Sequence, residues 1–398
     1  MINKFKKENS KMKKSIIIGL GIIIALAFSS CQKPSPEPLF LIKQNGKFGF
    51  IDKTGKIKIE PKFELAGEFN EGLAVVKNPP LNFLDRAVIK LSRKRNKPQS
   101  QEVWVYINQR GKIAIRSQFD SISAFSDGLA RVRLRNQYGY INQRGRLIIK
   151  PQFDRAEPFY QGIALVSIGG LWGYIDKSFA RSQKFLIEPQ FEQAGLFSEA
   201  LAPIKADNKW GYVDKNFDRS QKFAIEPEFE FADIFSDGLA PVLLDKKWAY
   251  INQKGEFVIP AQFPFPQDAP PNFIRIKIGK DWFFKIQNRL EPYPLIPLAG
   301  IFSDGLARVL INQKYGFIDH TGKIIISPEF DYATEFSEGL ALFRTGIQLG
   351  YIDKTGKILI KKSFDYAYSF HNGLAMVYEQ DRLGYIDQTG KFVWKPTK

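Results

Sequence analysis

A short motif of aromatic, glycine, aromatic returns along this chain at a nearly constant stride, and that stride limits the fold more than any other feature. Its middle residue falls at Gly49, Val105, Gly139, Gly173, Gly211, Ala249, Phe283, Gly316, Gly350 and Gly384. Most steps are 34 residues, as from Gly316 to Gly350 to Gly384. Two steps of 38 follow the longer turns "SFARSQK" at Ser178 and "NFDRSQK" at Asn216, and one of 56 marks an insertion after the first unit. A fixed period of this size belongs to stacked or radial repeat architectures, in which each unit buries its apolar face against its neighbours.

Within one unit the pattern reads as three strands. In "YGYID", Tyr351 and Asp353 share one face while Gly350 and Ile352 share the other. Glycine weakens a strand unless something packs closely against it, so its recurrence predicts a covering group, here expected to be an aromatic ring from the next unit. "DKTGK" from Asp353 to Lys357 reads as a hairpin turn with Asp as the cap and Gly356 supplying positive φ. The following "KILI" has the period of a half-buried strand. Pro-x-Phe-acid, as in Pro328, Phe330 and Asp331, then ends the ladder and returns a ring to the core. Six residues later a second Phe opens "FSDGLA" or a variant, which turns into the third strand. Two aromatics per unit are expected to join neighbouring units.

The core must be built from these residues. The 398-residue chain holds 35 Phe and 15 Tyr but only 3 Met, 2 His and 1 Cys, a bias that favours strands. We expect an all-β fold of tandem, roughly 34-residue, three-stranded antiparallel units. About ten units over residues 39–398 form an open β-repeat superhelix, with a closed propeller-like ring as the alternative, since ten blades exceed the usual 4 to 8. "LFLIK" at the start and "KFVW" at the end phase each module as third, first, second strand, which suits either form. A basic insertion spans 78–102 and a degenerate, Pro-rich interruption spans 260–300.

The first 31 residues read as a signal peptide: six lysines, an apolar run from Ile16 to Phe28, then Ser29 and Ser30 before Cys31. The apolar run is too short to cross a bilayer as a helix. Met12 is an alternative start. Cys31, the sole cysteine, excludes a disulfide framework. Residues 32–38, "QKPSPEP", read as an extended tether.

"FSSC" ending at Cys31 resembles the lipobox of bacterial lipoproteins, with Phe28 in place of the usual Leu. That resemblance implies lipidation at Cys31 and attachment to the extracytoplasmic envelope, with the outer membrane as destination in a two-membrane cell because Gln32 is not Asp. "KWGYVDKNF" (Lys209 to Phe217), "LWGYIDKSF" (Leu171 to Phe179) and "YGYINQRGR" (Tyr138 to Arg146) resemble the WG, or KWG, repeat family. The resemblance covers nearly the whole chain after the tether and implies a bacterial, often exported, β-rich repeat protein. It supplies no catalytic positions, cofactor or metal ligands.

The residues themselves point the same way. His320 and His371 sit in loop slots filled by other residues in sister units, and no partners for a triad or zinc site accompany them. Asp52, Asp176, Asp214, Asp319, Asp353 and Asp387 occupy one turn slot in which Asn108, Asn142 and Asn252 substitute. Asn can cap a turn but cannot ionise, so these carboxylates read as turn caps. No phosphate-cradling glycine motif is present.

Charge is the remaining signal. The net charge is +17, of which the first 31 residues carry six Lys against one Glu. Between Asn78 and Ile168 there are sixteen Lys and Arg against six Asp and Glu. Arg93, Lys94, Arg95 and Lys97 lie in the insertion, and "ARVRLRNQ" is expected to place Arg131, Arg133 and Arg135 along one strand face. These seven residues are the candidate contact for an anionic glycan or other envelope polymer. Nucleic acid fits the charge but not the exported address.

The expectation is therefore a non-enzymatic, lipid-anchored, extracytoplasmic surface that binds another macromolecule, an anionic polymer or a protein, without metal or cofactor. A glycan hydrolase with paired carboxylates in the irregular stretch near 260–300, or a plain spacer, are the alternatives.

Overall fold

The computed structural model describes residues 37–77, 89–91, 103–264, 273–278, 281–286, 289–292, 299–362, 364–380 and 382–395. The body from Pro38 to Lys398 forms one compact unit. It is an all-β ring of nine small antiparallel sheets, the closed alternative rather than the open superhelix. We number the blades 1 to 9 in chain order.

Blade 5 shows the plan. A two-residue leading strand (Gln193–Ala194) is followed by the Ala strand (Ala202–Ala206), the Gly strand (Lys209–Val213) and the edge strand (Ile225–Phe229), hydrogen-bonded in that order. The leading strand is too short to show as a period in the sequence, and it makes most blades four-stranded. Blade 1 has only the last three, Phe40–Gln44, Lys47–Ile51 and Ile57–Phe63.

Ring-shaped order follows from one aromatic contact repeated at every seam. The ring after each motif Gly meets the "FSDG" Phe of the next blade: Phe50 with Phe69, Tyr106 with Phe125, Tyr140 with Phe159, and so on, at centroid distances of 4.7, 4.9 and 4.9 Å. Such edge and tilted pairs are favoured by the ring quadrupole. The tyrosines add a bond, because Tyr140 Oη donates to the Glu157 carbonyl (2.7 Å), Tyr174 to Gly195 (2.8 Å) and Tyr212 to Asp233 (2.7 Å). Burial pushes these phenols far above their ordinary range, so the hydroxyl stays a donor.

Counting seams gives nine blades. Tyr250 of blade 6 contacts Phe302 and donates to the Gly300 carbonyl (2.9 Å), and Ser236 Oγ donates to the Phe302 carbonyl (2.6 Å). Blade 6 thus meets blade 7 (strands within 307–330) directly. The motif copy at Phe283 lies in a separate three-stranded sheet, Phe273–Ile278, Asp281–Ile286 and Arg289–Pro292, inserted between them.

Closure uses the same contact in altered form. Tyr385 of blade 9 donates to the Leu41 carbonyl (2.9 Å) and its ring meets Phe40 at 5.5 Å. Among the described residues blade 1 has no leading strand, and the sequence before Phe40 carries no "FSDG" Phe. Phe40 pairs with Ile51, in the register position where the other blades place Ala, such as Ala375 opposite Ile386 and Ala202 opposite Val213. A large ring in a small-residue slot supplies the volume the missing segment would have filled.

The motif Gly has a different cover from the one expected. A Cβ on Gly211 would lie 2.6 Å from the Ile225 carbonyl oxygen and 2.7 Å from Pro227 N, and Gly49, Gly139, Gly173 and Gly316 meet the same backbone groups in their own blades. The register slips there, with Trp210 opposite Phe229 but Tyr212 opposite Ile225, so the edge strand bulges over the glycine. The neighbour is backbone within the blade rather than a ring from the next, although Gly350 also meets Phe343.

The turn caps form as expected. Asp353 Oδ1 accepts from Thr355 N (2.9 Å), Thr355 Oγ1 (2.6 Å) and Lys357 N (3.1 Å), and Asn142 Oδ1 accepts from Arg144 N and Arg146 N, both at 3.0 Å. The Thr54 hydroxyl bond, with backbone bonds behind it, lowers the Asp52 carboxyl to about 2, and the same arrangement lowers Asp319 and Asp353. A carboxylate whose folded pKa is depressed stabilises fully above its unfolded value of about 4 and loses that contribution as pH falls towards the folded value. Melting temperature should therefore fall between about pH 4 and 2, and the fall should flatten when Asp52, Asp319 and Asp353 are all changed to Asn. A variant tracking the parent across that window would separate these caps from acid stability.

Candidate binding surface

Carboxylates recur at three positions of the repeat, and their geometry shows what they do. The acid after Pro-x-Phe reaches the far hairpin of the next blade: Asp154 Oδ2 accepts from Gly169 N (2.7 Å) and Asp331 Oδ2 from Gly346 N (2.6 Å). The acid of "FSDG" accepts from the corresponding turn of the following blade, as Asp127 from Gly162 N (2.6 Å), Asp304 from Gly339 N (2.8 Å) and Glu338 from Gly373 N (2.8 Å). With the turn caps, all three repeated carboxylate positions bind backbone amides. The serine of "FSDG" is used similarly, since Ser303 Oγ donates to the Phe336 carbonyl and Ser337 Oγ to the Phe370 carbonyl, both at 2.8 Å.

The predicted arginine stripe is divided. The Ala strand of blade 3 runs from Leu129 to Leu134, so it carries Arg131 and Arg133. Arg135 lies beyond it, in a turn where Arg135 and Asn136 have φ of +51° and +68°. Its amide donates to Asp120 Oδ2 (2.9 Å). The chain reverses one residue before the alternation could place a third guanidinium on the strand.

Arg131 is drawn into the seam between blades 3 and 4. Its Nη1 donates to the Ala156 carbonyl and lies 3.3 Å from Glu157 Oε2, whose side chain is 2% exposed, while its guanidinium stands 5.2 Å over the Tyr138 ring. Arg308 repeats this between blades 7 and 8: it is fully buried, donates to the Ala333 carbonyl (2.5 Å), pairs with Glu335 (3.8 Å) and stands 4.9 Å over Tyr315. A buried cation held by a carboxylate and a carbonyl fixes the geometry of a seam. The sequence signal was present, since "DGLARV" occurs at both 127–132 and 304–309. Reading Arg131 only along its strand hid the match.

Arg133 is half-buried and Arg135 exposed. Arg93, Lys94, Arg95 and Lys97, and the lipidation candidate Cys31, lie outside the described residues. His320 lies in the hairpin turn, as expected, and there its ring stacks on Phe302 at 4.2 Å. No group of three or more His, Cys, Asp or Glu suited to a metal occurs among the described residues.

Exposed chemistry concentrates elsewhere, on the edge strands. Those of blades 3 and 4 are partly covered by short helices from the next blade's turn, α1 (Phe179–Ser182) and α2 (Phe217–Ser220), whose Phe179 and Phe217 pack on Phe153 and Phe191. The edges of blades 6, 7 and 8 carry no such helix. They expose Phe257 and Val258, Ile324 and Ile325, and Ile358 and Leu359, each 40–47% accessible.

Among solved structures, the chain is similar to a eukaryotic initiation factor, at 10% identity and a TM-score of 0.57 over 90% of this chain and 95% of that one. It is also similar to BamB from Moraxella catarrhalis, at 9% identity and a TM-score of 0.40 over 72% and 86% of the two chains. At these identities the first likeness concerns the fold alone. No curated protein matches the sequence. The family model for the WG containing repeat matches at residues 48–78, 104–138, 138–172, 172–210, 210–248, 248–265, 315–346 and 350–381. Those segments carry the Gly strand and the seam contacts in eight successive matches, and the chain belongs to the WG-repeat family.

Proposed function

We propose that this protein is a non-enzymatic binding scaffold, tethered through a lipid on Cys31 to the extracytoplasmic envelope and presenting the ring to another macromolecule. The observation that carries this reading is the use made of the repeated polar groups. Carboxylates of the turn-cap, Pro-x-Phe and "FSDG" positions hold backbone amides, and the "FSDG" serines hold the next blade's carbonyls. Those positions build the ring; exposed edges and hairpins, whose residues differ from blade to blade, remain for recognition.

An anionic envelope polymer is the partner whose chemistry fits the cationic stretch between Asn78 and Ile168. Within that stretch Arg133, Arg135 and the insertion residues Arg93, Lys94, Arg95 and Lys97 are the contacts to test, whereas Arg131 serves the blade seam. Binding of the purified chain to acidic glycans across a salt series should weaken steeply with salt. It should fall when Arg93, Lys94, Arg95 and Lys97 are changed to Ala, and Arg131→Ala should lower stability at least as much as affinity. Salt-independent binding, or full affinity in the insertion variant, would remove this contact.

A further inference from the structure

Blades 6 to 9 present a second surface that the arginine-rich stretch does not include. At each step the turn Gly of one blade is seated on the edge strand before it: a Cβ on Gly322 would lie 3.0 Å from Ile259, on Gly356 3.1 Å from Ile326, and on Gly390 3.0 Å from Ile360. The four edges are therefore one continuous stretch of surface.

On it, Ile324 and Ile325 in blade 7 and Ile358 and Leu359 in blade 8 sit at bulges, where Ile318 pairs with Ile324 but Phe317 with Ile326, and Ile352 with Ile358 but Tyr351 with Ile360. Both members of each pair are about equally exposed, at 45% and 40%, and 44% and 47%. Each edge therefore exposes its first two residues before Ile326 and Ile360 return to the core. Phe257 and Val258 extend the row into blade 6. Contiguous exposed apolar groups of this kind mark interaction surfaces.

The charges beside them identify the occupant. Lys323, Lys357 and Lys391 each follow the turn Gly of their blade, and Lys361 and Lys395 lie at the far ends of the edges in blades 8 and 9. All five are exposed. Glu329 is the acidic residue within these last three edge strands, and Glu256 in blade 6 is held by Asn252 Nδ2 at 2.7 Å. Blades 4 and 5 differ, with Glu188 and Glu226 on edges that carry no comparably exposed apolar pair. The basic, apolar character of blades 6 to 9 is thus absent from blades 4 and 5.

We propose that the edge strands of blades 6 to 9 dock on an anionic lipid surface, the apolar pairs entering the headgroup boundary and the lysines meeting lipid phosphates. Apolar burial beside cations is the combination that holds interfacial proteins on acidic bilayers. A partner strand added to one edge is a poorer fit. The register slips between Tyr315 and Phe317 and between Tyr351 and Ile352, and bulges and edge lysines oppose strand pairing. A row of similar apolar tips on successive blades suits a flat surface better than a single extended peptide. The proposal does not rest on polymer binding by the arginine-rich stretch.

The test uses the full chain with Cys31→Ser, so that one introduced cysteine carries an environment-sensitive fluorophore at position 359 (Leu359→Cys) or, as the control arc, at position 226 (Glu226→Cys). Vesicles of phosphatidylcholine, with and without about one third phosphatidylglycerol, are titrated into each. The expected result is a blue shift at 359 with the anionic vesicles and little at 226. Changing Lys357, Lys361 and Lys391 together to Gln should raise the lipid concentration for half the shift by about a hundredfold. Equal shifts at 359 and 226 would mean that the N-terminal segment brings the protein to the bilayer without this arc. No shift with either vesicle, or one that follows protein concentration without lipid, would overturn the proposal, the latter in favour of a second copy of the chain.

Discussion

Changing Phe40 to Ala should cost about 3 to 5 kcal/mol, the range for removing a buried aromatic ring, and the damage should appear at one seam. The strands of blade 1 all come from residues 40–63 and those of blade 9 from residues 366–394, so no strand is shared across the closure. Other blade seams are also held by a continuous chain. This one depends on the cluster of Phe40, Ile42, Ile51, Leu374, Leu383 and Tyr385, on the Tyr385 bond to Leu41, and on Gly55 seated against Val393. Phe40 is 8% exposed and provides the ring that meets Tyr385. Hydrogen exchange should quicken in residues 40–51 and 382–394 while blades 4 and 5 keep their protection. Phe336→Ala removes the equivalent ring from an interior seam, where chain continuity keeps the blades together. If both variants loosen the whole ring alike, closure is no weaker than any other seam.

Gly211→Val should be destabilising by about 3 kcal/mol, because the added side chain meets backbone that cannot turn aside. The clash is with the Ile225 carbonyl and Pro227, where the bulge carries the edge strand over the glycine. Two blades place a side chain in this slot, Val105 and Ala249, and neither has Pro at the matching edge position, where Ser117 and Ala261 stand instead. In blade 2 the register runs through at this slot, with Val105 opposite Arg116 and Tyr106 opposite Ile115, and slips only between Tyr106 and Ile107, whereas blade 6 keeps the slip at Ala249. Gly211→Val with Pro227→Ser should therefore recover part of the loss, and Pro227→Ser alone should cost less than Gly211→Val. Chemical denaturation of the three variants measures this directly, and an absence of coupling between the two sites would contradict the account of the bulge.

Both predictions rest on features the sequence displayed without explaining. The exchange of Gly for Val or Ala together with the loss of Pro can be read from the letters alone. Its cause, an edge strand crossing the glycine, needs the register. The repeated "DGLARV" likewise pointed to a shared role for Arg131 and Arg308, yet an arginine on a strand reads as exposed until the neighbouring blade supplies Glu157 or Glu335. For Arg135 the error was local: the two-residue turn began one position earlier than the alternation suggested.

What the sequence by itself determined was the unit: alternating strands, turn caps interchangeable between Asp and Asn, glycine turns and two ring positions per repeat. These are set by neighbours a few residues away, through backbone conformation and period-two burial, so one unit suffices to read them. Closure, blade number and the fate of each charged side chain were decided by tertiary structure. The angle between blades accumulates around the ring, and whether the last blade meets the first depends on that sum rather than on any one repeat. Here it brings Tyr385 to Phe40, leaves the Phe283 copy in an inserted sheet, and exposes apolar pairs on the edges of blades 6 to 8 while short helices partly cover those of blades 3 and 4.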